Sequence, residues 1–285
     1  MKSDNKSIFS ILEDDFLDTA KKEFHLYRYK KNEYEDHVNA ISNFLGLKEK
    51  KERFIVHRSP KFWSGRRKSP RIILVSLNPG FREMHDSSRN IKDDEKDWKT
   101  YCTSRDNSYQ IDKDKKWQRS SAFYKRWYVL FSGLYDKPEL EYKTDNFRFL
   151  DKNVLNLNLF PFHSNQSNFP TFKGKKLALV IPYVINLLDF IAKTKPKDIC
   201  IFNGKDWDKL LFTRALISNE IKDYKEKTLI KKQKIKFFKY KSVKCVLFTK
   251  FLSSTGHEGL THKKIKKNVA NKIKRQYPKV KWQAR

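Results

Sequence analysis

The chain has 285 residues, 38% of them apolar and 14% aromatic, enough to bury the core of one large α/β domain. Its 63 lysines and arginines outnumber 33 aspartates and glutamates, which gives a formal net charge of +30. An excess of this sign and size indicates a polyanionic partner, and nucleic acid is the commonest one. An AT-rich genome encodes lysine at many tolerant surface positions, which explains part of the excess. It does not explain why the net charge is positive, because aspartate and glutamate would serve solubility equally well.

Composition also excludes several classes of protein. No stretch reaches the roughly 18 apolar residues that a membrane helix needs, and the N-terminus leads into no signal-peptide core. Cys102, Cys200 and Cys245 lie far apart, in neither a disulfide framework nor the spacing of a metal or iron–sulfur site. We therefore expect a cytoplasmic, monomeric protein that contacts no membrane and needs no metal or cofactor.

In chain order, the first elements are an N-terminal segment and one buried strand. Residues 1–68 form the segment, and their aromatic, charged stretch 24–44 is predicted to be helical and packed on the domain. The strand follows at residues 71–77. Residues 85–116 are charged, with interleaved aromatics, and are predicted to be a long insertion, since connections of that length are usually functional or disordered. A core helix is predicted at residues 120–134.

The second half of the chain alternates strands with helices. Short runs rich in Val, Ile, Leu and Phe, bounded by turn formers, are typical of strands covered on both faces. Such runs occur at residues 153–160, 198–202 and 244–248, and helices are predicted at 177–193, 205–217 and 261–276. In the first of these helices Pro182 must lie in the first turn or kink it. This order predicts, for residues 69–285, a three-layer α/β/α sandwich around a central four-stranded parallel sheet.

Ligands of such a sheet bind beyond the carboxyl ends of its strands. The first strand runs into Asn78-Pro79-Gly80. Taken alone this is an ordinary turn, since proline fixes φ and glycine accepts positive φ. The functional interpretation is that Pro79 and Gly80 hold the loop close to a ligand, while the Asn78 amide orients a water molecule.

The second strand carries asparagine at two alternate positions, Asn156 and Asn158, although asparagine is disfavoured in strands. Both side chains point to one face, and a buried amide must find partners. One interpretation is a pair of satisfied structural amides. The other is that Asn158, nearest the end of the strand, reads a base edge, because an amide can donate and accept together.

The last two strands lead into turns whose composition suits phosphate. Gly204 lets the chain turn into a helix that begins at Lys205 and whose N-terminus favours phosphate, although a plain strand-to-helix turn explains this piece equally well. After the fourth strand, a loop rich in Ser, Thr, Gly and His precedes a very basic helix, a composition that suits phosphate contacts and an apolar wedge. The candidate DNA-binding residues there are Lys250, Phe251, Leu252, Ser253, Ser254 and His262.

In this order, the four strand ends resemble the uracil-DNA glycosylase superfamily. That family has a Gly-x-Asp-Pro-Tyr or Gly-x-Asn-Pro-Gly motif after its first strand and a second strand ending in Leu-Leu-Asn or similar. Its third strand ends near Trp-Gly or Asn-Gly, and a His-Pro-Ser-type loop before the last helix enters the minor groove. The resemblance covers residues 68–84 and 150–278. It implies the fold of that family and hydrolysis of the bond between a base and its sugar.

The resemblance also implies roles for matching residues. Asn78 corresponds to the residue that positions the hydrolytic water, and Pro79 and Gly80 to the wall of the base pocket. Asn158 corresponds to the base-reading asparagine. The stretch that follows, up to Ser164, corresponds to a segment that runs along the DNA, and Lys205 belongs to the third-strand turn. The aromatic ring that stacks on the base is Phe81, Tyr101 or Tyr109.

The last motif departs from the family. Lys250-Phe251-Leu252-Ser253 stands where His-Pro-Ser is expected, so the histidine that stabilises the departing base is missing at its usual place. Either His257, deeper in the loop, or Lys250 has to place a donor roughly 3 Å from the developing anion. This departure concerns the identity of the base more than the class of reaction.

The predicted activity is therefore that of a DNA glycosylase, which flips a nucleotide out of duplex or single-stranded DNA and leaves an abasic site. The base is uracil or a bulkier modified base, such as a hypermodified cytosine of phage DNA, which would make the protein a defence enzyme. The alternative is a non-catalytic nucleic-acid binder in which the aromatics of residues 98–128 are stacking platforms. A metal-dependent nuclease is disfavoured, because the acidic candidates at strand ends, Asp206 and Glu258, have no evident partners.

Overall fold

The computed structural model of the chain describes residues 15–47, 53–77, 96–107, 122–136, 149–150, 152–164, 175–212, 219–230, 233–249 and 261–283. The strands within these ranges are β1 (Trp63–Ser64), β2 (Ile72–Ser76), β3 (Val154–Asn158), β4 (Ile199–Asn203), β5 (Ile221–Ile230), β6 (Gln233–Tyr240) and β7 (Val243–Phe248). They form one sheet in the order β1-β3-β2-β4-β7-β6-β5. The α/β class predicted from the sequence is confirmed.

The described helices are α1 (Phe16–Tyr29), α2 (Lys31–Leu45), α3 (Trp98–Asp106), α4 (Ala122–Leu134), α5 (Lys175–Thr194) and α6 (Lys205–Phe212). The last helix, α7, begins as His262–Lys264, passes through a π-helical turn at Ile265–Val269 and ends as Ala270–Gln276. The predicted helices of the core all appear, and Pro182 lies inside α5 rather than in its first turn. Among the described helices, none has both the length and the apolar character that a bilayer crossing needs.

The four apolar runs of the sequence are the four parallel strands at the centre of the sheet. β4 pairs in parallel with β2 on one side and with β7 on the other. β3 lies along the other edge of β2, where the Arg71 N–H donates to Asn153 O and the Leu159 N–H donates to Ser76 O, at 2.9 and 3.0 Å. Because both strands advance in the same direction between these two bonds, β2 and β3 are parallel.

Three further strands extend this centre through antiparallel pairing, so the sheet has more strands than the four predicted. β1 pairs with β3, and the hairpin β5–β6 continues the sheet beyond β7. The hairpin was missed because β5 is an edge strand whose side chains are mostly exposed and charged. An edge strand of that kind shows no apolar alternation from which a strand could be predicted.

The backbone contacts divide the chain into two compact units. Unit 1 comprises Met1–Ser64, Ser76–Asn107 and Asn156–Lys193, and unit 2 comprises Gly65–Val75, Ser108–Leu155 and Thr194–Arg285. The sequence predicted an extension of residues 1–68 followed by a single domain of 69–285, which stays a prediction. The N-terminal helices and α5 belong to the same unit as the ends of β2 and β3.

Unit 1 buries one face of the helical hairpin α1–α2, which confirms the helical prediction for this segment. Asp15 caps α1 by accepting from the Leu17 N–H at 2.8 Å, and Gly46, with φ of 73°, ends α2. Between the two helices, the fully buried Glu23 carboxylate lies 2.8 Å from Nε2 of His37. A buried carboxylate needs such a partner, so this pair ties α1 to α2.

In unit 2, Arg71 joins the start of β2 to the end of the chain. Its Nε donates to Asp198 Oδ2 at 2.7 Å, its Nη2 donates to Lys281 O at 2.7 Å, and its guanidinium stacks 4.6 Å from the ring of Tyr135. The Tyr135 hydroxyl donates to the same Asp198 oxygen at 2.6 Å. Burial, and then the neighbouring Asp198 carboxylate, raise the pKa of Tyr135 well above its usual value.

The raised pKa of Tyr135 predicts a loss of stability at alkaline pH. Above about pH 10 the unfolded chain releases the phenol proton while the folded chain retains it, so the free energy of unfolding falls as pH rises. In Tyr135→Phe the free energy of unfolding should fall less steeply with pH, by up to about 1.4 kcal/mol per pH unit. Urea unfolding between pH 9 and 12 measures the slope. The exposed Tyr29→Phe is the control, and a Tyr135→Phe slope equal to that of the control would contradict the prediction.

Gly133 marks a close approach between α4 and the π-helical turn of α7. A Cβ at this position would lie far inside van der Waals contact of Lys266 O and 2.9 Å from Ala270 Cβ. The position therefore needs glycine because of the neighbouring backbone, even though alanine is the better helix former.

Gly133→Ala should destabilise the protein by about 1–3 kcal/mol, because the overpacking outweighs the roughly 1 kcal/mol that alanine contributes in an unhindered helix. The midpoint of urea unfolding gives the change. A variant more stable than the wild type would show that α4 and α7 do not approach one another as described.

Candidate active site

The site of interest in unit 1 is the carboxyl end of β3, at Asn158. This side chain is 1% exposed, and its Nδ2 donates to Lys61 O at 2.8 Å. Its backbone N–H donates to Phe62 O at 2.9 Å, next to the β1–β3 ladder. Two hydrogen bonds to the residues that lead into β1 therefore hold Asn158 in place.

The amide of Asn158 has one defined orientation. Exchanging its nitrogen and oxygen would bring Oδ1 against Lys61 O, two acceptors with no proton between them, so the nitrogen faces Lys61. The oxygen then faces the other way, and among the described residues Asn158 Oδ1 is buried without a hydrogen-bond partner. A buried acceptor of this kind costs free energy unless a ligand or water molecule donates to it.

Asn156, two residues earlier on the same face, is in a different state. Its Oδ1 accepts a long hydrogen bond of 3.4 Å from the hydroxyl of Ser76, the last residue of β2. Of the two explanations for the paired asparagines, the structural one fits Asn156. Asn158 is anchored at its nitrogen only, and its oxygen has no hydrogen-bond partner among the described residues.

The end of β2 lies directly beside the end of β3. The Leu159 N–H donates to Ser76 O, and the Phe160 N–H donates to Leu77 O at 2.7 Å. The chain therefore leaves β2 at the same level of the sheet at which Asn158 ends β3. The next residues are Asn78-Pro79-Gly80, which lie outside the described part of the chain.

The described aromatic residues of the predicted insertion, Trp98 and Tyr101, pack within unit 1. Tyr101 is fully buried, and its hydroxyl donates to Pro60 O at 2.6 Å. Trp98 stacks on it at 5.3 Å, and Trp63 meets its ring edge-on at 5.6 Å. Tyr101 is thus not available to stack on a flipped base, a correction to its place among the three candidates. Phe81 and Tyr109 are outside the described residues.

Ser164 also requires a correction. It is 2% exposed and forms an isolated antiparallel bridge with Phe54, so it does not face DNA in this structure. Phe160 and Phe162, in the same stretch, are buried as well. Burial of the aromatic rings draws this segment into the core of unit 1, whereas the resemblance implied a position along the DNA.

In unit 2, the turn after β4 has the predicted geometry. Gly204 adopts a φ of 125° that favours glycine, and its N–H donates to Phe248 O at 3.0 Å. Asp206 and Asp208 occupy the first turn of α6, where carboxylates take the favourable interaction with the helix dipole. These features fit a plain strand-to-helix connection, and Lys205 begins α6 with a side chain that lies outside the described part of the structure.

Most of the predicted contact residues lie outside the described ranges. His262 is the first residue of α7, and its side chain is not described. The others outside these ranges are Asn78, Pro79, Gly80, Phe81, Lys250, Phe251, Leu252, Ser253, Ser254 and His257. Within the described residues, no group of three or more His, Cys, Asp or Glu side chains is arranged to hold a metal ion.

The residues that sequence reasoning missed are those that anchor Asn158. Lys61 and Phe62 accept its hydrogen bonds through their backbone carbonyls, and Trp63 begins the strand β1 that follows them. A backbone carbonyl is present at every position, so no side-chain pattern could have identified these acceptors.

Compared with protein-family models, with curated proteins and with solved structures, the chain matches none.

The anchoring predicts how an acidic replacement behaves. Asn158→Asp places a carboxylate against Lys61 O, and the buried anion lacks the proton that this bond needs. Protonating the carboxyl restores a donor, so the pKa of the new group should rise in the folded protein. The pKa of an aspartate in the unfolded chain is about 4. Above that pH, Asn158→Asp should lose stability relative to Asn158→Ser as the pH rises. Urea unfolding at pH 4 to 8 measures it, and a flat difference would contradict the described orientation.

Proposed function

We propose that the protein is a DNA glycosylase that hydrolyses the bond between a flipped-out base and its sugar. The observation that carries the proposal is the buried, unpartnered Oδ1 of Asn158 at the carboxyl end of β3. It is supported by the junction of β2 with Asn78-Pro79-Gly80 at the same level of the sheet. The net charge of +30 supports DNA as the partner.

The orientation of Asn158 limits what a base must present. With Nδ2 held by Lys61 O, the free Oδ1 accepts a hydrogen bond, so the base has to donate one. The imide N–H of uracil and the amino group of a cytosine derivative both meet this requirement. An unpaired acceptor also discriminates strongly, because a base without the matching donor leaves it buried and unsatisfied.

The proposed reaction needs one water molecule and no redox change. The bond between the sugar carbon and the base nitrogen breaks, and its electron pair leaves with the base. The water oxygen, oriented by the Asn78 amide, bonds to the sugar carbon, and its proton ends on the base. His257 or Lys250 stabilises the departing base, because a donor near the developing negative charge acts most strongly in the transition state.

The uracil-DNA glycosylase-like architecture is part of this proposal. Its supports are the four central parallel strands β3, β2, β4 and β7 and the motifs at their ends. In this arrangement β1, β5 and β6 are additions at the two sides of the sheet. Uracil and a bulkier modified base of phage DNA are both substrates of the proposed class, serving DNA repair and antiviral defence respectively.

The competing proposal, a non-catalytic nucleic-acid binder with aromatic stacking platforms, gains no support from the described residues. Tyr101 hydrogen-bonds within the core of unit 1, and Trp127 and Tyr128 are buried in the core of unit 2. Rings in these positions have no face to offer to a base.

The test is an assay for abasic sites on duplexes that each carry one modified base, uracil and modified cytosines included. We expect one duplex to be cleaved at the modified position by the wild type. Asn78→Ala and Asn158→Ala should each lower kcat/KM by about 100-fold or more, since each removes a positioned polar group of the reacting complex.

The matched control is Asn153→Ala, at the opposite end of β3. Asn153 Nδ2 also donates to a backbone carbonyl, Phe149 O, at 2.8 Å, so the variant loses the same kind of bond away from the site. It should keep the activity of the wild type. Excision that survives Asn78→Ala and Asn158→Ala unchanged, or binding without any abasic product, would exclude the proposed function.

A further inference from the structure

The acidic side chains of strand β5, in the hairpin β5–β6 of unit 2, are paired with lysines of β6. Asp223 pairs with Lys239 at 2.6 Å, and Glu226 pairs with Lys234 at 2.6 Å. Glu226 also contacts Lys236, which forms a second ion pair with Asp208. The acids of β5 are therefore not available to balance the lysines of β5 itself.

Three further lysines of β5 lie on one face of the sheet because of a bulge. Lys222 is opposite Lys239 and Lys225 is opposite Phe237, and these two partners are two residues apart, so they point the same way. Lys222 and Lys225 are an odd number of residues apart and would point to opposite faces in a regular strand. The bulge at Asp223, with a φ of 56°, inserts the residue that brings them to the same face.

We call Lys222, Lys225 and Lys227 the lysine face. Lys227 belongs to it because it is two residues beyond Lys225, and its ammonium lies 5.6 Å from the ring centre of Phe237. Lys222 and Lys225 are exposed, and among the described residues none of the three forms an ion pair. The pKa of Asp223 is lowered first by its hydrogen bond to Lys239 and then by the charges of Lys225 and Lys222.

The last helix adjoins this face and adds to its charge. Lys272 of α7 donates through Nζ to Thr228 O at 2.6 Å, which holds the helix beside β5. Arg275 follows one turn later and is exposed. The surface therefore combines an extended row of cations with a basic helix at its side.

The chemistry of this surface favours a phosphate backbone over a protein. The exposed large apolar side chain of the hairpin is Tyr224, and it points to the opposite face, where its ring meets Phe212 at 5.2 Å. Stable protein interfaces have an apolar core, which the lysine face lacks.

We propose that the lysine face is a DNA-binding surface that contacts phosphates of the duplex without reading sequence. It goes beyond the proposed function, because it requires no modified base and no excision. Its partner is ordinary duplex DNA, held through the charge of Lys222, Lys225 and Lys227.

The experiment measures binding of the full chain to an unmodified duplex by fluorescence anisotropy at several salt concentrations. The triple variant K222Q/K225Q/K227Q should bind about tenfold or more weakly, and its slope of log K against log salt should be smaller by about 2.7, or about 0.9 for each phosphate that the variant no longer neutralises. The charge-preserving variant K222R/K225R/K227R should retain the slope. It also shows that weaker binding comes from the missing charge and not from a damaged hairpin.

The matched control removes the same charge elsewhere. K30Q/K193Q/K274Q replaces three lysines that are ion-paired with Glu33, Asp15 and Asp136. The control should leave the slope nearly unchanged, and equal effects of the two triple variants would overturn the proposal. The proposal would also be overturned if K222Q/K225Q/K227Q lost binding to phosphatidylserine vesicles while it bound DNA like the wild type. Binding of the unmodified duplex is measured without any excision, so failure of this surface in the anisotropy experiment is distinguishable from failure of the glycosylase proposal in the abasic-site assay.

Discussion

The hydrogen bonds of β2 are the constraint on which the candidate site depends. All five residues of this strand are buried, so each backbone N–H and C=O must find a partner on a neighbouring strand. β4 supplies partners along one edge, from Ile72 opposite Ile199 onward, and β3 supplies them along the other. The last of these bonds, from the Phe160 N–H to Leu77 O, determines where the chain leaves the sheet and enters Asn78-Pro79-Gly80. The site is thus placed by the backbone of an apolar strand.

Asn158 shows how the same sheet presents a polar group. An amide in a fully buried strand is unfavourable unless both its ends are paired, and here Lys61 O pairs the nitrogen only. The strand pairing holds the backbone, Lys61 O holds the nitrogen, and the oxygen is left oriented and desolvated. Such an acceptor is prepared for a ligand before the ligand arrives, which lowers the cost of ordering on binding. This preorganisation is what the proposed base recognition rests on.

The positive charge of the hairpin β5–β6 is partly balanced by its own acids. Lys239 pairs with Asp223, and Lys234 pairs with Glu226. In β5 a bulge gathers the lysines of that strand onto one face. A formal net charge therefore predicts a polyanionic partner but not the place where it binds, because that place depends on which acids lie within reach of which bases. The lysine face is a consequence of pairing and register.

The sequence by itself determined the α/β class, the four central strands and most helices, because uninterrupted apolar runs and helical periodicity are local properties of the chain. It also pointed to Asn158, since an amide in an apolar strand is locally anomalous. Only the tertiary structure decided that Lys61 O orients this amide, that Ser164 and Tyr101 are buried, and that β5 and β6 enlarge the sheet. Aromatic and polar residues look alike in sequence whether they are buried or exposed. Partners distant along the chain, most of all backbone carbonyls, leave no pattern in the sequence, so their choice belongs to the folded chain.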